Sequence, residues 1–159
     1  MNYSFLILSI SLPGILCLIS DDVLKTLYEY ENECHRKSGA SKDEIEYARK
    51  SHEIINTFAT NLFSLCMLKQ LNIIYYNNTV NRDTKTYSVL RGTQGSKFYE
   101  TCTDKVEEVN LDAARKIMNC LLKNRELVMA PYSHEEYVSK HYASSVVALA
   151  MNLTNNNIK

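Results

Sequence analysis

The chain has 159 residues, and 18 Lys and Arg balance 18 Asp and Glu, so its formal net charge at neutral pH is zero. That balance excludes nucleic acid or an anionic membrane surface as the principal partner, because both select basic surfaces. A hydrophobic share of 45% suffices for the core of one domain of ordinary size.

Residues 1–20, MNYSFLILSISLPGILCLIS, hold no charged side chain, are interrupted by Pro13-Gly14 and run directly into Asp21-Asp22. A spanning helix needs about twenty unbroken apolar residues, so this segment reads as a secretory leader cut near Ser20. The chain is therefore expected outside the cell, with a helical domain at 21–124 and an extension at 125–159. No later segment is apolar enough for stable membrane insertion.

Helical periods recur and strand patterns are nearly missing, which predicts an all-α bundle of about six helices. The first is expected at 22–36, capped by Asp21 and Asp22, with Val23, Leu24, Leu27 and Tyr28 as its apolar stripe and Ser38-Gly39 as its stop. The second, at 42–50, opens on the capping box Ser41 to Glu44. The third, at 53–71, is apolar nearly all round from Leu62 to Leu68 and is expected to be central. After the apolar exit Ile73 to Tyr76 comes a polar loop at 77–81. A short helix is expected at 83–91, then one at 95–109 and one at 111–124, capped by Asn110. Ser133 with Glu136 starts a further capping box and a C-terminal helix at 133–151.

Five cysteines are present. Cys17 belongs to the leader, which leaves Cys34, Cys66, Cys102 and Cys120. An even count in a small exported domain implies two disulfides, and the spacings fit no compact metal site. Leu111 lies nine residues, two and a half helical turns, before Cys120, so the two point to opposite sides of their helix. Leu62 and Cys66 are one turn apart on one face.

This arrangement resembles the insect odorant-binding proteins, a secreted all-α family with six cysteines, of which the second and third are spaced Cys-x3-Cys and the last two Cys-x8-Cys. Cys34 matches the first cysteine, Cys66 the third, Cys102 the fourth and Cys120 the sixth. Leucine stands at the second and fifth positions, Leu62 and Leu111, with eight residues on each side of Leu111 before the neighbouring cysteines. The family's bridges join first to third, second to fifth and fourth to sixth. The resemblance therefore implies Cys34–Cys66 and Cys102–Cys120, with the remaining bridge replaced by a leucine pair expected to touch. The matched loss resembles the four-cysteine Minus-C subgroup.

The function so implied is reversible carriage of small hydrophobic ligands, such as odorants or pheromones, in an internal apolar cavity, with a chemosensory receptor as a further partner. The inward stripes supply candidate lining residues: Ile55, Phe58, Phe63, Met67, Tyr87, Leu90, Phe98, Ile117, Met118, Leu121 and Val128. Met67 and Met118 suit a pocket because thioethers adapt to varied shapes. Tyr87, Tyr99 and Tyr132 are candidates to offer a hydroxyl to a ligand oxygen, or simply to reach a backbone carbonyl. The four histidines, His35, His52, His134 and His141, are scattered, so no metal site is expected. No GxSxG, HExxH or glycine-rich phosphate loop occurs, so neither enzymatic activity nor a cofactor is expected. The competing reading is a secreted signalling or protein-interaction module acting through the C-terminal helix. The sequons at Asn77 and Asn152 permit glycosylation of an exported chain.

Overall fold

The computed structural model describes residues 20–82, 95–133 and 135–139, with the backbone alone at 95–98. Five helices follow in order: α1 Asp21–Ser38, α2 Lys42–Ser51, α3 Phe58–Gln70, α4 Gly95–Thr103 and α5 Leu111–Lys123. A helical turn begins at 135–139. The leader, the helix expected at 83–91 and the continuation of the C-terminal helix lie outside the described residues.

Ser20, not an aspartate, caps α1 by accepting the Val23 N–H at 3.4 Å. Asp21 and Asp22 occupy the first turn instead, where they favour the positive helix end. Gly39 ends the helix at φ 72°, a left-handed conformation that glycine adopts without strain. The buried stripe of α1 is Leu24, Leu27, Tyr28, Glu31 and Cys34, a run at helical spacing that carries one acid.

The Ser41–Glu44 capping box of α2 is complete: Glu44 N–H reaches Ser41 Oγ at 3.2 Å and Glu44 Oε2 accepts the Ser41 N–H at 2.7 Å. Glu44 Oε1 also accepts the Thr57 hydroxyl at 3.1 Å, so the starts of α2 and α3 are tied together. The Ser41 backbone bond holds the Glu44 carboxyl below the usual carboxylate range. A lowered folded value means that this stabilisation is present above the unfolded carboxylate pKa and is lost as pH falls through the folded one. Glu44→Gln is therefore expected to cost about 0.5–1 kcal/mol at neutral pH, with the gap to the parent closing in acid. Urea titrations of both proteins across pH check this, and a gap independent of pH would contradict it.

α3 starts at Phe58 rather than at 53, because Thr57 caps it in a reciprocal pair with Thr60. The segment before it is held in non-helical form by a distant side chain. Buried Asn119, on α5, accepts the Ile54 N–H through Oδ1 and donates Nδ2 to the Ile54 carbonyl at 3.3 Å. Asn119→Ala leaves both buried backbone groups of Ile54 unpaired, at about 1–3 kcal/mol each. A total loss near 2 kcal/mol or more in chemical denaturation is expected, and a change below about 0.5 kcal/mol, the size of an ordinary surface substitution, would refute the pairing.

After α3 the chain reverses. Ile73 and Ile74 are buried, Ile74 bridges to Val80, and Asn81 N–H meets the Ile73 carbonyl at 2.9 Å. This small hairpin docks on the strand-like stretch before α5, with Thr79 bridging to Glu108 and Val109 N–H donating to the Asn78 carbonyl at 2.8 Å. That docking explains why α4 stops at Thr103 and not at 109. Lys105 turns left-handed at φ 59° and residues 106–109 extend to meet the hairpin. Asn110 then caps α5 by accepting the Ala113 N–H at 2.8 Å.

α3 packs against both α1 and α5, and α4 packs on α5. The disulfides follow the same pairs of helices: Cys34–Cys66 joins α1 to α3 and Cys102–Cys120 joins α4 to α5, with Cα separations of 5.5 and 5.6 Å. These are the two pairings that the family resemblance implies. Leu62 and Leu111 are both half-buried, so neither is sealed into the core as a full replacement for a bridge.

Candidate functional site

The buried core is built from three sides. α3 contributes Phe63, Met67 and Leu68, α5 contributes Ile117, Met118 and Leu121, and the irregular stretch after α5 contributes Val128 and Met129, all within one buried cluster. α5 presents these residues because its apolar positions recur three and four apart. The stretch after α5 turns inward because Arg125 adopts φ 58° and Glu126 N–H bonds back to the Leu121 carbonyl at 3.0 Å.

The structure therefore gathers Phe63, Met67, Ile117, Met118, Leu121 and Val128 from the predicted lining set. Ile55 is half-buried. Phe58 does not face inward: it is 71% exposed as the first residue of α3, while Ala59 and Thr60 after it turn toward the core. Tyr87 and Leu90 lie outside the described residues, as does the Phe98 side chain. Tyr99 is buried, and its hydroxyl donates to the Asn81 carbonyl, which joins α4 to the hairpin. Tyr132 is half-buried, and its ring stacks on Tyr137 with centroids 6.2 Å apart.

Beneath the outer face of α1 lies a buried ionic centre that the apolar reading of the helices passed over. Glu31 and Arg49 pair at 3.0 Å with side chains only 7% and 8% exposed. Arg49 also bonds Glu46 at 3.0 Å and donates to the Ala130 carbonyl, while the Ala130 N–H donates back to Glu31. Burial raises the Glu31 carboxyl above the usual carboxylate range, although the Arg49 guanidinium beside it pulls the other way. The signal for this centre was present in the sequence, since Glu31 continues the stripe of Leu24, Leu27 and Tyr28 at helical spacing. Its partner Ala130 is 99 residues away and offers only backbone atoms, which no side-chain pattern reveals.

The same network anchors the start of the C-terminal extension. Tyr28 donates its hydroxyl to the Tyr132 carbonyl at 2.9 Å, and its ring lies 5.3 Å from that of Tyr137. Burial first, then Tyr132 and Glu31, raise the Tyr28 phenol well above its ordinary value. Ser133 starts the final helical turn by accepting the Glu136 N–H at 3.1 Å.

Two clefts open on outer faces. One of about 480 Å³ lies between α1, α2 and Ser133, and its walls mix apolar surface from Tyr28 and Ile45 with the charged and polar groups of Glu31, His35, Asp43 and Arg49. The other, about 210 Å³, runs along the ends of α1 and α3 beside the Cys34–Cys66 bridge, lined by Lys37, Leu62, Leu65, Lys69 and Tyr76 among others. Neither is lined by the residues predicted for ligand contact. Among the described residues no cluster of three His, Cys, Asp or Glu is placed to hold a metal ion.

The described residues form an all-α domain in which two interhelical bridges close an aliphatic, methionine-bearing core. The chain belongs to the PBP/GOBP family, the insect pheromone- and odorant-binding proteins, whose model matches residues 19–124. Members of this family are small soluble carriers of hydrophobic ligands rather than enzymes, and they are secreted. No curated protein and no solved structure matches the chain. Among the described residues no helix is long and apolar enough to cross a membrane.

Proposed function

We propose that this protein is a secreted carrier that takes up small apolar molecules, odorants, pheromones or similar lipophiles, reversibly and without chemical change. Family membership together with the buried Met67 and Met118 supports this most directly. The proposed seat is the interior between α3, α5 and residues 126–130, contacted by Phe63, Met67, Ile117, Met118, Leu121 and Val128. Ile55 stands at its margin, and Tyr87, Leu90 and Phe98 are proposed as further contacts. Hydrophobic burial supplies the affinity, at about 25 cal/mol per Å² of apolar surface, and the two thioethers rearrange to fit different shapes. Residues 1–20 serve as the leader, whose removal also takes away the Ser20 cap and leaves Asp21 and Asp22 to start α1, and delivery to a chemosensory receptor follows from the same reading. Leucine at both 62 and 111 supports membership of the Minus-C subgroup as part of this reading.

Titration with N-phenyl-1-naphthylamine, followed by displacement with volatile terpenes and long-chain alcohols, tests the proposal. Saturable probe fluorescence that these competitors reverse is the expected result. A protein that neither binds the probe nor releases it to any apolar competitor is no carrier of this kind.

A further inference from the structure

The turn at 75–79, Tyr75-Tyr76-Asn77-Asn78-Thr79, contains features that the carrier interior does not use. Two backbone bonds close it, Tyr75 N–H to the Thr79 carbonyl and Asn78 N–H to the Tyr75 carbonyl, both 2.9 Å. Asn78 completes it at φ 65°, a left-handed conformation that asparagine tolerates in hairpin loops. Asn77 is exposed at the tip. Its Oδ1 accepts the Thr79 hydroxyl at 2.7 Å and the Thr79 N–H at 3.2 Å, which leaves the amide nitrogen for solvent. Beside it stand two large rings that the core does not claim, Tyr75 at 44% and Tyr76 at 85% exposure. The Tyr75 ring is fixed in place by its hydroxyl, which donates to Asn81 Oδ1 at 2.7 Å.

We propose that Asn77 is an N-glycosylation site and that the adjacent Tyr75 ring is the platform on which the first sugar rests. The sequon Asn77-Asn78-Thr79 supplies the acceptor, and the turn presents it as an exposed loop rather than inside a helix. An amide nitrogen is a weak nucleophile because its electron pair is delocalised into the carbonyl. In the turn the Thr79 hydroxyl bonds the carboxamide oxygen, which fixes the side chain with Nδ2 turned to solvent. The donor is a lipid-linked oligosaccharyl pyrophosphate. Asn77 Nδ2 forms a bond to the anomeric carbon, and the bond from that carbon to the pyrophosphate oxygen breaks. The lipid pyrophosphate leaves with the electron pair, and the amide gives up one proton to the transferase. The C–H face of the attached sugar then lies on the negative face of the Tyr75 ring, which accounts for an apolar surface that is otherwise left to water.

The inference rests on entry of the chain into the secretory route, so the test separates the two. The full chain is expressed in insect cells, once as it stands and once behind a foreign secretory leader. The secreted protein is digested and mapped by mass spectrometry, with enzymatic glycan release in heavy-oxygen water marking the occupied asparagine. Label at residue 77 is expected, read separately from the sequon at Asn152. Thr79→Ala is expected to abolish it. Tyr75→Ala leaves the sequon intact and is expected to lower occupancy about twofold, the factor that a ring contact at the weak end of its usual range supplies. If only the chain with the foreign leader is secreted and labelled at 77, the site stands and the native leader falls. An unmodified 75–79 peptide from the secreted protein with the foreign leader overturns the site. Unchanged occupancy in Tyr75→Ala overturns the platform.

Discussion

Glu31→Ala is expected to destabilise the protein by about 3–5 kcal/mol, the usual result of stranding one partner of a buried ion pair. The substitution removes the acceptor for the Ala130 N–H as well as the counter-charge of Arg49. Glu46 remains bonded to Arg49 at 3.0 Å, which places the expected loss toward the lower end of that range. Stability differences of domains this size lie at about 5–15 kcal/mol in all, so the change is large. Replacing both partners, Glu31→Met with Arg49→Met, removes the stranded charge but leaves the N–H and the carbonyl of buried Ala130 unpaired at about 1–3 kcal/mol each, so this protein too is expected to fall well below the parent. Urea midpoints of the three proteins decide the matter. A Glu31→Ala protein as stable as the parent would show that the pair is only incidental to the docking of residues 126–133.

Removal of the disulfides is the second large effect. The Cys34–Cys66 bridge spans a sequence separation of 32 residues and the Cys102–Cys120 bridge one of 18. In the chain-entropy account they contribute about 3–4 and about 3 kcal/mol respectively. Cys34→Ser with Cys66→Ser is thus expected to lower stability somewhat more than Cys102→Ser with Cys120→Ser. Loss of both bridges approaches the whole margin of a marginal domain. The half-burial of Leu62 and Leu111 sharpens this expectation. Partly buried leucines recover only part of the roughly 1.5–3 kcal/mol that each gives on full burial, so packing there makes up for little of a lost crosslink. Thermal melts with and without reductant read this out, and a reduced protein that melts with the oxidised one would contradict it.

The elements legible in the sequence are those whose cause is local. Ser41 with Glu44, Asn110 ahead of α5 and Gly39 behind α1 each sit within one turn of the boundary they set. The disulfide pairing was legible for a different reason: cysteine spacing carried the family's connectivity, which helix geometry alone does not specify. The boundaries that moved are those decided at long range. Asn119 bonds Ile54 across 65 positions and delays the start of α3. Likewise, the hairpin at 73–81 draws Val109 into extended form, so α4 ends early. Helical periodicity gives no warning of a backbone carbonyl that meets a distant amide.

The interior was legible for the same reason as the helices, since Met67, Ile117, Met118 and Leu121 recur at helical spacing and all are buried. Phe58 misled because the first residue of a capped helix does not share the burial of the stripe that follows. The docking of the extension was the least legible feature. Tyr28, Glu31 and Arg49 hold it through backbone atoms of Ala130, Tyr132 and Ser133, which no side-chain pattern announces.

The most direct test of the carrier reading follows the methionine methyl groups by NMR while N-phenyl-1-naphthylamine is added to the full-length protein. Met67 and Met118 are fully buried on α3 and α5 and line neither outer cleft. Large, saturable shifts of the Met67 and Met118 methyls, reversed by an apolar competitor, are the result expected if the ligand sits in the interior. Saturable binding that leaves both methyls unmoved would place the ligand elsewhere and contradict the proposed seat.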